Sequence, residues 1–121
     1  MKRNDVVYFE WASDSLAYAS RLAKSCGIVA RLHRYEMYQW VHAIDWAFVD
    51  RVILLTNAMQ RKFAAQCPDS AHKTIVIPWA ISPQRFPLKT TQFVGNIGIL
   101  GDLIPRKRVY ELILAFSELA K

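Results

Sequence analysis

The sequence predicts an α/β fold in which a parallel sheet is flanked by helices. Three observations support this prediction. Short apolar runs recur along the chain, stretches with helical spacing separate them, and 53% hydrophobic with 21% charged residues is a globular composition. Short strands that alternate with helices favour parallel pairing through crossover helices. Disordered, collagen-like and mucin-like chains are therefore excluded.

Each predicted strand is a short apolar run bounded by residues that interrupt it. The third, at residues 51–55, is the clearest, and Pro78 ends the fourth. Pro83 and Pro87 lie in an aperiodic stretch that is typical of an extended linker. The predicted strands cover residues 5–9, 28–32, 51–55, 73–77 and 96–100, with the linker between the last two.

The predicted helices have recognisable start or stop signals. Ser13 or Asp14 caps the first helix, and Gly27 lies where a helix usually ends. Thr56 or Asn57 caps the third helix. The predicted helices cover residues 14–24, 38–46, 57–66 and 107–120. Apolar residues at spacings of three and four mark the last helix, namely Val109, Leu112, Ile113, Phe116 and Leu119.

The net charge of +6 is distributed unevenly. Residues 1–60 carry seven basic and six acidic groups, and residues 61–121 carry nine and four, giving +1 and +5. A basic half indicates an anionic partner such as nucleic acid, phospholipid or a phosphorylated small molecule, or else a solvated cationic surface. Aromatic residues lie among basic ones near Arg34, but no RNA-binding motif accompanies them, so no nucleic-acid partner is expected.

The chain is expected to be cytoplasmic, at most peripheral to the inner face of the membrane. No apolar run approaches the roughly 18–20 residues of a membrane helix, and Asp5, Glu10 and Asp14 interrupt any signal-peptide core. Cys26 and Cys67 are too few and too far apart for a disulfide framework, so both are expected to be reduced.

The segment after the second strand carries the first group of candidate site residues. His33, Arg34 and Glu36 should lie at the carboxyl edge of the sheet, where ligands bind in such folds. A histidine can donate or accept a proton, and an arginine can hold a phosphate or carboxylate. The alternative is a histidine that only packs or caps a loop. Since His42 and His72 lie on other elements, no metal site is predicted.

The second group follows the fifth predicted strand. Gly101 lies in a turn before Arg106, Lys107 and Arg108, at a predicted helix start. The helix dipole disfavours cations there, so their placement suggests a binding role, most simply for a diphosphate. A basic, solvated helix start is the alternative. No Gly-x-Gly-x-x-Gly or P-loop occurs, which disfavours a dinucleotide site and an NTPase.

Taken in order, these segments resemble retaining glycosyltransferases of the GT-B fold, family 4. Residues 28–36 resemble the family's strand ending in His, and residues 49–56 resemble its Asp-x-[Val/Ile]-[Ile/Val]-x-x-Ser/Thr strand and cap. Residues 73–86 resemble the segment leading out of the first domain, and residues 98–107 the strand and lysine that open the second. The resemblance spans about residues 5–121.

The resemblance implies two Rossmann-like domains and sugar transfer from a nucleotide diphosphate donor to an acceptor with retention. It divides this chain into residues 1–78, the rear half of the N-terminal domain; residues 79–92, the interdomain linker; and residues 93–121, the first β-α unit of the nucleotide-sugar-binding domain. The implied partners are the nucleotide-sugar donor, as substrate rather than cofactor, and a glycan or lipid-linked acceptor.

The resemblance also assigns roles to residues. His33 faces the acceptor or the transferred sugar, with Arg34 and Glu36 on the acceptor side. Lys107 holds the donor diphosphate, together with Arg106 and Gly101. The family's arginine falls on Asp102, whose charge opposes phosphate, and Arg106 is expected to compensate. Trp79-Ala80 stands where the family has Asn-Gly. Arg108 stands where the family has a Gly after the lysine that Lys107 matches.

The family carries a Glu-x7-Glu pair further along its second domain, and this sequence ends at Lys121, before that position. We therefore expect a fragment of a glycosyltransferase, inactive in isolation and prone to self-association through unpaired strand edges. The alternative is a non-catalytic anion-binding or protein-interaction module, for which the +5 half is the support. A regulatory, degenerate glycosyltransferase-like protein is a third possibility, supported by Asp102.

Overall fold

Four parallel strands form one sheet in the computed structural model, which describes residues 4–86 and 92–119. The strands are β1 (Val6–Phe9), β2 (Gly27–Leu32), β3 (Arg51–Leu54) and β4 (Thr74–Val76), in the order β1-β2-β3-β4. Helices connect them, so the chain has a Rossmann-like α/β fold, as the alternation of strands and helices predicted.

The helices are α1 (Asp14–Ala19), α2 (Arg34–Gln39), α3 (Asn57–Gln66) and α4 (Val109–Leu119). Short 3-10 helices span Pro68–Lys73, Pro83–Arg85 and Pro105–Lys107. None of the helices in the described part of the chain is long and apolar enough to cross a membrane.

The core lies on one face of the sheet. Crossover connections are right-handed, so a strand order of 1-2-3-4 sends successive connections over the same face. The register agrees, because Ala30 pairs with Val52, and Leu32 pairs with Leu54 on the same buried rows. The largest fully buried side chains are Phe63, Leu16, Ile28, Leu32, Met37, Leu54, Val41, Val49 and Val52.

α3 matches its prediction closely. The Thr56 hydroxyl accepts a hydrogen bond from the Met59 backbone N–H, 3.2 Å away, which satisfies one of the free donors at the helix start. Phe63 is fully buried and meets the Trp46 ring edge-on, with 4.9 Å between ring centroids. The cap and one aromatic anchor thus fix this helix against the sheet.

Two other helices differ from prediction. α1 ends at Ala19 rather than near residue 24, and Leu22 is exposed. α2 begins at Arg34, directly after β2, whereas the sequence predicted a helix at 38–46. Most of the segment between α2 and β3 is turns and bends, yet Val41 and Ile44 in it are buried. The apolar spacing there therefore reflected burial rather than helix.

That irregular segment is held by hydrogen bonds from two side chains. The Trp46 indole N–H donates to the Val41 carbonyl over 2.7 Å. The Lys73 ammonium donates to the carbonyls of Trp46 and Ala47, at 2.9 and 3.1 Å. Backbone carbonyls outside a helix or sheet lack ladder partners, and these side chains supply donors for three of them.

The chain separates into two compact units, Met1–Ser82 and Pro83–Lys121, so the break falls inside the predicted linker. In the second unit, the predicted strand at 96–100 is not formed within the described residues. A strand needs a hydrogen-bonding neighbour, and the four-stranded sheet lies entirely in the first unit. α4 forms as predicted, but Ile113 and Phe116 on its apolar face are exposed.

Candidate functional site

The carboxyl edge of the sheet brings together residues from three parts of the sequence. β1 ends at Phe9 and β2 at Leu32, and the two strands are parallel, so the residues that follow them lie side by side. The segment after β4 reaches the same edge. We call Glu10, Trp11, Arg31, His33 and Trp79 the edge cluster.

The imidazole of His33 contacts two indole rings. Its imidazole is stacked with Trp11, with centroids 4.3 Å apart and planes inclined by 28°. Trp79 stacks at 5.8 Å and 26°. His33 is only 8% exposed, whereas Trp11 and Trp79 are 56% and 63% exposed. The cluster therefore presents two open aromatic surfaces around an almost buried imidazole.

A backbone carbonyl orients the imidazole of His33. Its Nε2 lies 3.1 Å from the carbonyl oxygen of Glu10 and 3.5 Å from the Glu10 Oε1. Both oxygens are acceptors when the carboxylate is ionised, so the hydrogen bond requires a proton on Nε2. In the neutral ring Nδ1 is then the acceptor, and the capping box at the start of α2 directs the Glu36 backbone N–H to the His33 side chain.

Arg31 joins the cluster through its charge and its plane. Its Nη1 donates a hydrogen bond to Oε1 of the Glu10 carboxylate over 3.1 Å, and its guanidinium carbon lies 4.8 Å from the Trp79 ring centroid. A cation at this distance over an indole ring is attracted by the negative face of its π-system. The Arg31 Nε is buried and has no hydrogen-bond partner within the described residues. The guanidinium therefore retains unused donor capacity at this edge.

The Glu10 carboxylate is held as an anion. The Tyr8 hydroxyl donates a hydrogen bond to Glu10 Oε2. That bond, followed by the bond and charge of Arg31, lowers the pKa of Glu10. Burial, and then the hydrogen bond to Glu10, raise the pKa of Tyr8. Near neutral pH the cluster thus contains one carboxylate and one guanidinium that compensate each other.

Three predicted site residues that are neighbours in sequence have different surroundings. Glu36 is 2% exposed, and its carboxylate accepts a hydrogen bond from the backbone N–H of His33 over 3.0 Å, which caps α2. Arg34 is exposed and faces a groove between α2 and α3. Of these three residues, His33 alone is a member of the edge cluster. That Arg34 and Glu36 bind an acceptor stays a prediction.

Gly101 and Lys107 are brought together in the second unit. The Lys107 side chain passes 3.8 Å from where a Cβ on Gly101 would lie, and Gly101 has φ +155°. Arg106 and Lys107 lie in the 3-10 turn, and Arg108 adopts a left-handed φ of 54° before α4 begins. The cations therefore precede α4 rather than lie in its first turn, but Arg108 is still next to the positive end of the helix dipole. Their binding of a diphosphate stays a prediction.

Sequence reasoning did not identify Glu10, Trp11 or Arg31 as site residues. The sequence marks Trp79 only as a departure from the family's Asn-Gly and predicts no role for it. A polar or aromatic pair directly after a strand, such as Glu10-Trp11 after β1, was the available signal. Within residues 4–86 and 92–119, no group of three or more His, Cys, Asp or Glu side chains could hold a metal ion.

Comparison with known proteins adds no relative: no protein-family model, no curated protein and no solved structure matches this chain.

Proposed function

We propose that this chain is part of a retaining GT-B glycosyltransferase that transfers a sugar from a nucleotide diphosphate donor to a glycan or lipid-linked acceptor. His33 acts on the acceptor side, with Arg34 and Glu36 near it in sequence. Lys107, Arg106 and Gly101 bind the donor diphosphate. We propose that this chain alone does not carry out the transfer, because its described residues supply binding groups rather than a complete catalytic arrangement.

The observation that carries the proposal is the arrangement around His33. A sugar ring presents an apolar face of C–H groups and a rim of hydroxyls. Trp11 and Trp79 offer flat apolar surfaces, more than half exposed, beside the donors and acceptors of Arg31 and Glu10. Together these groups match both surfaces of a sugar. The edge cluster lies at the carboxyl edge of a parallel sheet, which is where such folds bind ligands.

A calorimetric titration with nucleoside diphosphates tests the donor side. We expect saturable, salt-tolerant binding of one nucleoside diphosphate, with at least about a tenfold loss of affinity in Lys107→Ala. Arg108→Ala is the matched control, because Arg108 is adjacent, has the same charge and pairs with Glu111 at 3.4 Å. Equal losses in both variants, or no nucleotide binding, would contradict the donor assignment.

Tryptophan fluorescence tests the acceptor side. A bound sugar should change the emission of exposed indoles, and Trp79→Ala and Trp11→Ala should each reduce the response. Trp46→Phe serves as the control, since Trp46 is 5% exposed and lies outside the edge cluster. A response to glycans that persists in the Trp11→Ala/Trp79→Ala double variant would count against this site.

The alternative, a non-catalytic anion-binding or protein-interaction module, is favoured by the +5 charge of residues 61–121. RNA binding measured across a salt series separates the two functions. A steep decrease of affinity with salt and no nucleotide preference would favour the module.

A further inference from the structure

A concave surface lies between α2 and α3. It is a groove of about 350 Å³. Seven residues line it: Arg34, Met37, Tyr38, Thr56, Ala58, Met59 and Lys62. None of these residues belongs to the edge cluster. The volume is at the lower end of the range for small-molecule sites, roughly 300–1,000 Å³.

Two cations face one aromatic ring at this groove. The Lys62 Nζ lies 3.5 Å from the Tyr38 ring centroid, and the Arg34 guanidinium carbon lies 5.9 Å from it. Neither cation has a carboxylate within 4.0 Å in the part of the chain that the structure describes. A ring face attracts cations but does not neutralise them. Two uncompensated positive charges therefore converge at the groove.

The remaining walls are apolar or add to the positive potential. Met37 is 1% exposed and Met59 is half-buried, so the thioethers form an apolar floor. Thr56 is the N-cap of α3 and Ala58 lies in its first turn, where the backbone N–H groups give a helix its partial positive charge. Cationic groups and an apolar floor thus occur together in one concavity.

We propose that this groove binds a phosphate group attached to an apolar body, with Arg34 and Lys62 contacting the phosphate and Met37, Met59 and Tyr38 contacting the apolar part. A phosphate monoester carries up to two negative charges, which match the two cations, and arginine can bind it through two parallel hydrogen bonds. This inference goes beyond the proposed sugar transfer and does not depend on it.

The electrostatics of Tyr38 agree with a positive environment. Interaction of its hydroxyl with Lys62, and then with Arg34, lowers the pKa of Tyr38. The same potential that favours a phenolate favours a bound phosphate.

Methionine methyl NMR tests the proposal on the whole chain with phenyl phosphate as the probe. The chain has three methionines, and two of them, Met37 and Met59, line the groove. We expect phenyl phosphate at millimolar concentration to shift both methyl signals in a saturable manner, and phenol to shift them far less. No shift with phenyl phosphate would overturn the proposal.

Charge variants show whether the two cations are responsible. Lys62→Gln and Arg34→Gln should each weaken phenyl phosphate binding by about tenfold. Arg61→Gln is the matched control, because Arg61 is the preceding residue on α3, is exposed and does not line the groove. It should change the affinity by less than about twofold. Unchanged binding in Lys62→Gln and Arg34→Gln, or an equal loss in Arg61→Gln, would overturn the proposal.

The phosphate could belong to a lipid headgroup or to a soluble ester, and vesicles distinguish these sources once phenyl phosphate binding is established. Vesicles of phosphatidylcholine with phosphatidic acid are compared with phosphatidylcholine alone in a sedimentation assay. Phosphatidic-acid-dependent sedimentation that Lys62→Gln abolishes assigns the site to a lipid headgroup. Sedimentation that is absent, or unchanged in Lys62→Gln, assigns it to a soluble phosphate ester.

Discussion

The Asp50 carboxylate accepts a hydrogen bond from the backbone N–H of Ile28, with 2.7 Å between Oδ2 and N. Asp50 immediately precedes β3, and Ile28 lies near the start of β2, so one side chain joins the beginnings of two neighbouring strands. Its other oxygen binds the Lys24 ammonium at 2.6 Å. Lys24, and then the Ile28 N–H, lower the pKa of Asp50.

This geometry predicts a specific dependence of stability on pH. A carboxyl group whose pKa is lower in the folded state stabilises the fold above its unfolded pKa, about 3.9. That contribution is lost as the pH falls through the lowered folded pKa. We therefore expect wild type to be more stable than Asp50→Asn near neutral pH by about 1 kcal/mol, because solvent screens this half-exposed ion pair. The difference should vanish in strong acid.

Urea unfolding at a series of pH values measures this difference. Asp69→Asn is the control, since Asp69 is exposed and has no ion-pair partner within the described residues. A stability difference between wild type and Asp50→Asn that stays constant below pH 3.9 would rule out the linkage.

Glu36 should stabilise the start of α2. Replacing it with alanine removes the acceptor for the His33 N–H, and His33 is almost fully buried. Leaving such a donor unpaired costs about 1–3 kcal/mol, which urea unfolding can measure. Glu36→Gln keeps an acceptor and should lose less. Glu111→Ala, at an exposed position on α4, is expected to change the free energy of unfolding by less than about 0.5 kcal/mol.

Phe63 should be a major contributor to the core. Phe63→Ala removes a fully buried ring that contacts Trp46 edge-on, and we expect a loss of about 3–5 kcal/mol in the free energy of unfolding. Phe63→Leu should lose less, and it remains measurable if the alanine variant does not fold. Phe116→Ala is the comparison, since Phe116 is 44% exposed. Equal losses at the two positions would show that the core is not centred on Phe63.

Tyr38 should titrate at lower pH when Lys62 is present. Lys62→Gln removes the main group that lowers the pKa of Tyr38, so that pKa should rise, while Arg61→Gln should leave it unchanged. Tyrosine ring signals in carbon NMR, followed through alkaline pH, report this pKa directly. If the Tyr38 signal titrates identically in wild type and Lys62→Gln, then Lys62 does not lie over the ring in solution.

Local patterns predicted the four strands of the sheet and the helices α3 and α4. The apolar runs of β1 to β4 and the Thr56 cap depend on neighbouring residues alone. The ends of each of these strands lie within one residue of the predicted ends, and Thr56 caps α3 as predicted. The segment after α2 was mispredicted because burial of Val41 and Ile44 gives the same spacing as an amphipathic helix. The fifth strand was mispredicted because a strand also requires a partner.

The position of His33 at the carboxyl edge of the sheet was predictable from the sequence, because polar residues that follow a strand in an α/β fold lie at that edge. Its neighbours were not. Trp11 and Trp79 reach His33 only because parallel pairing places the ends of separate strands side by side. Likewise, Lys62 lies over Tyr38 only because α2 and α3 pack next to each other. Short-range sequence specifies strands, caps and charge, whereas contacts between distant residues arise from the packing of those elements.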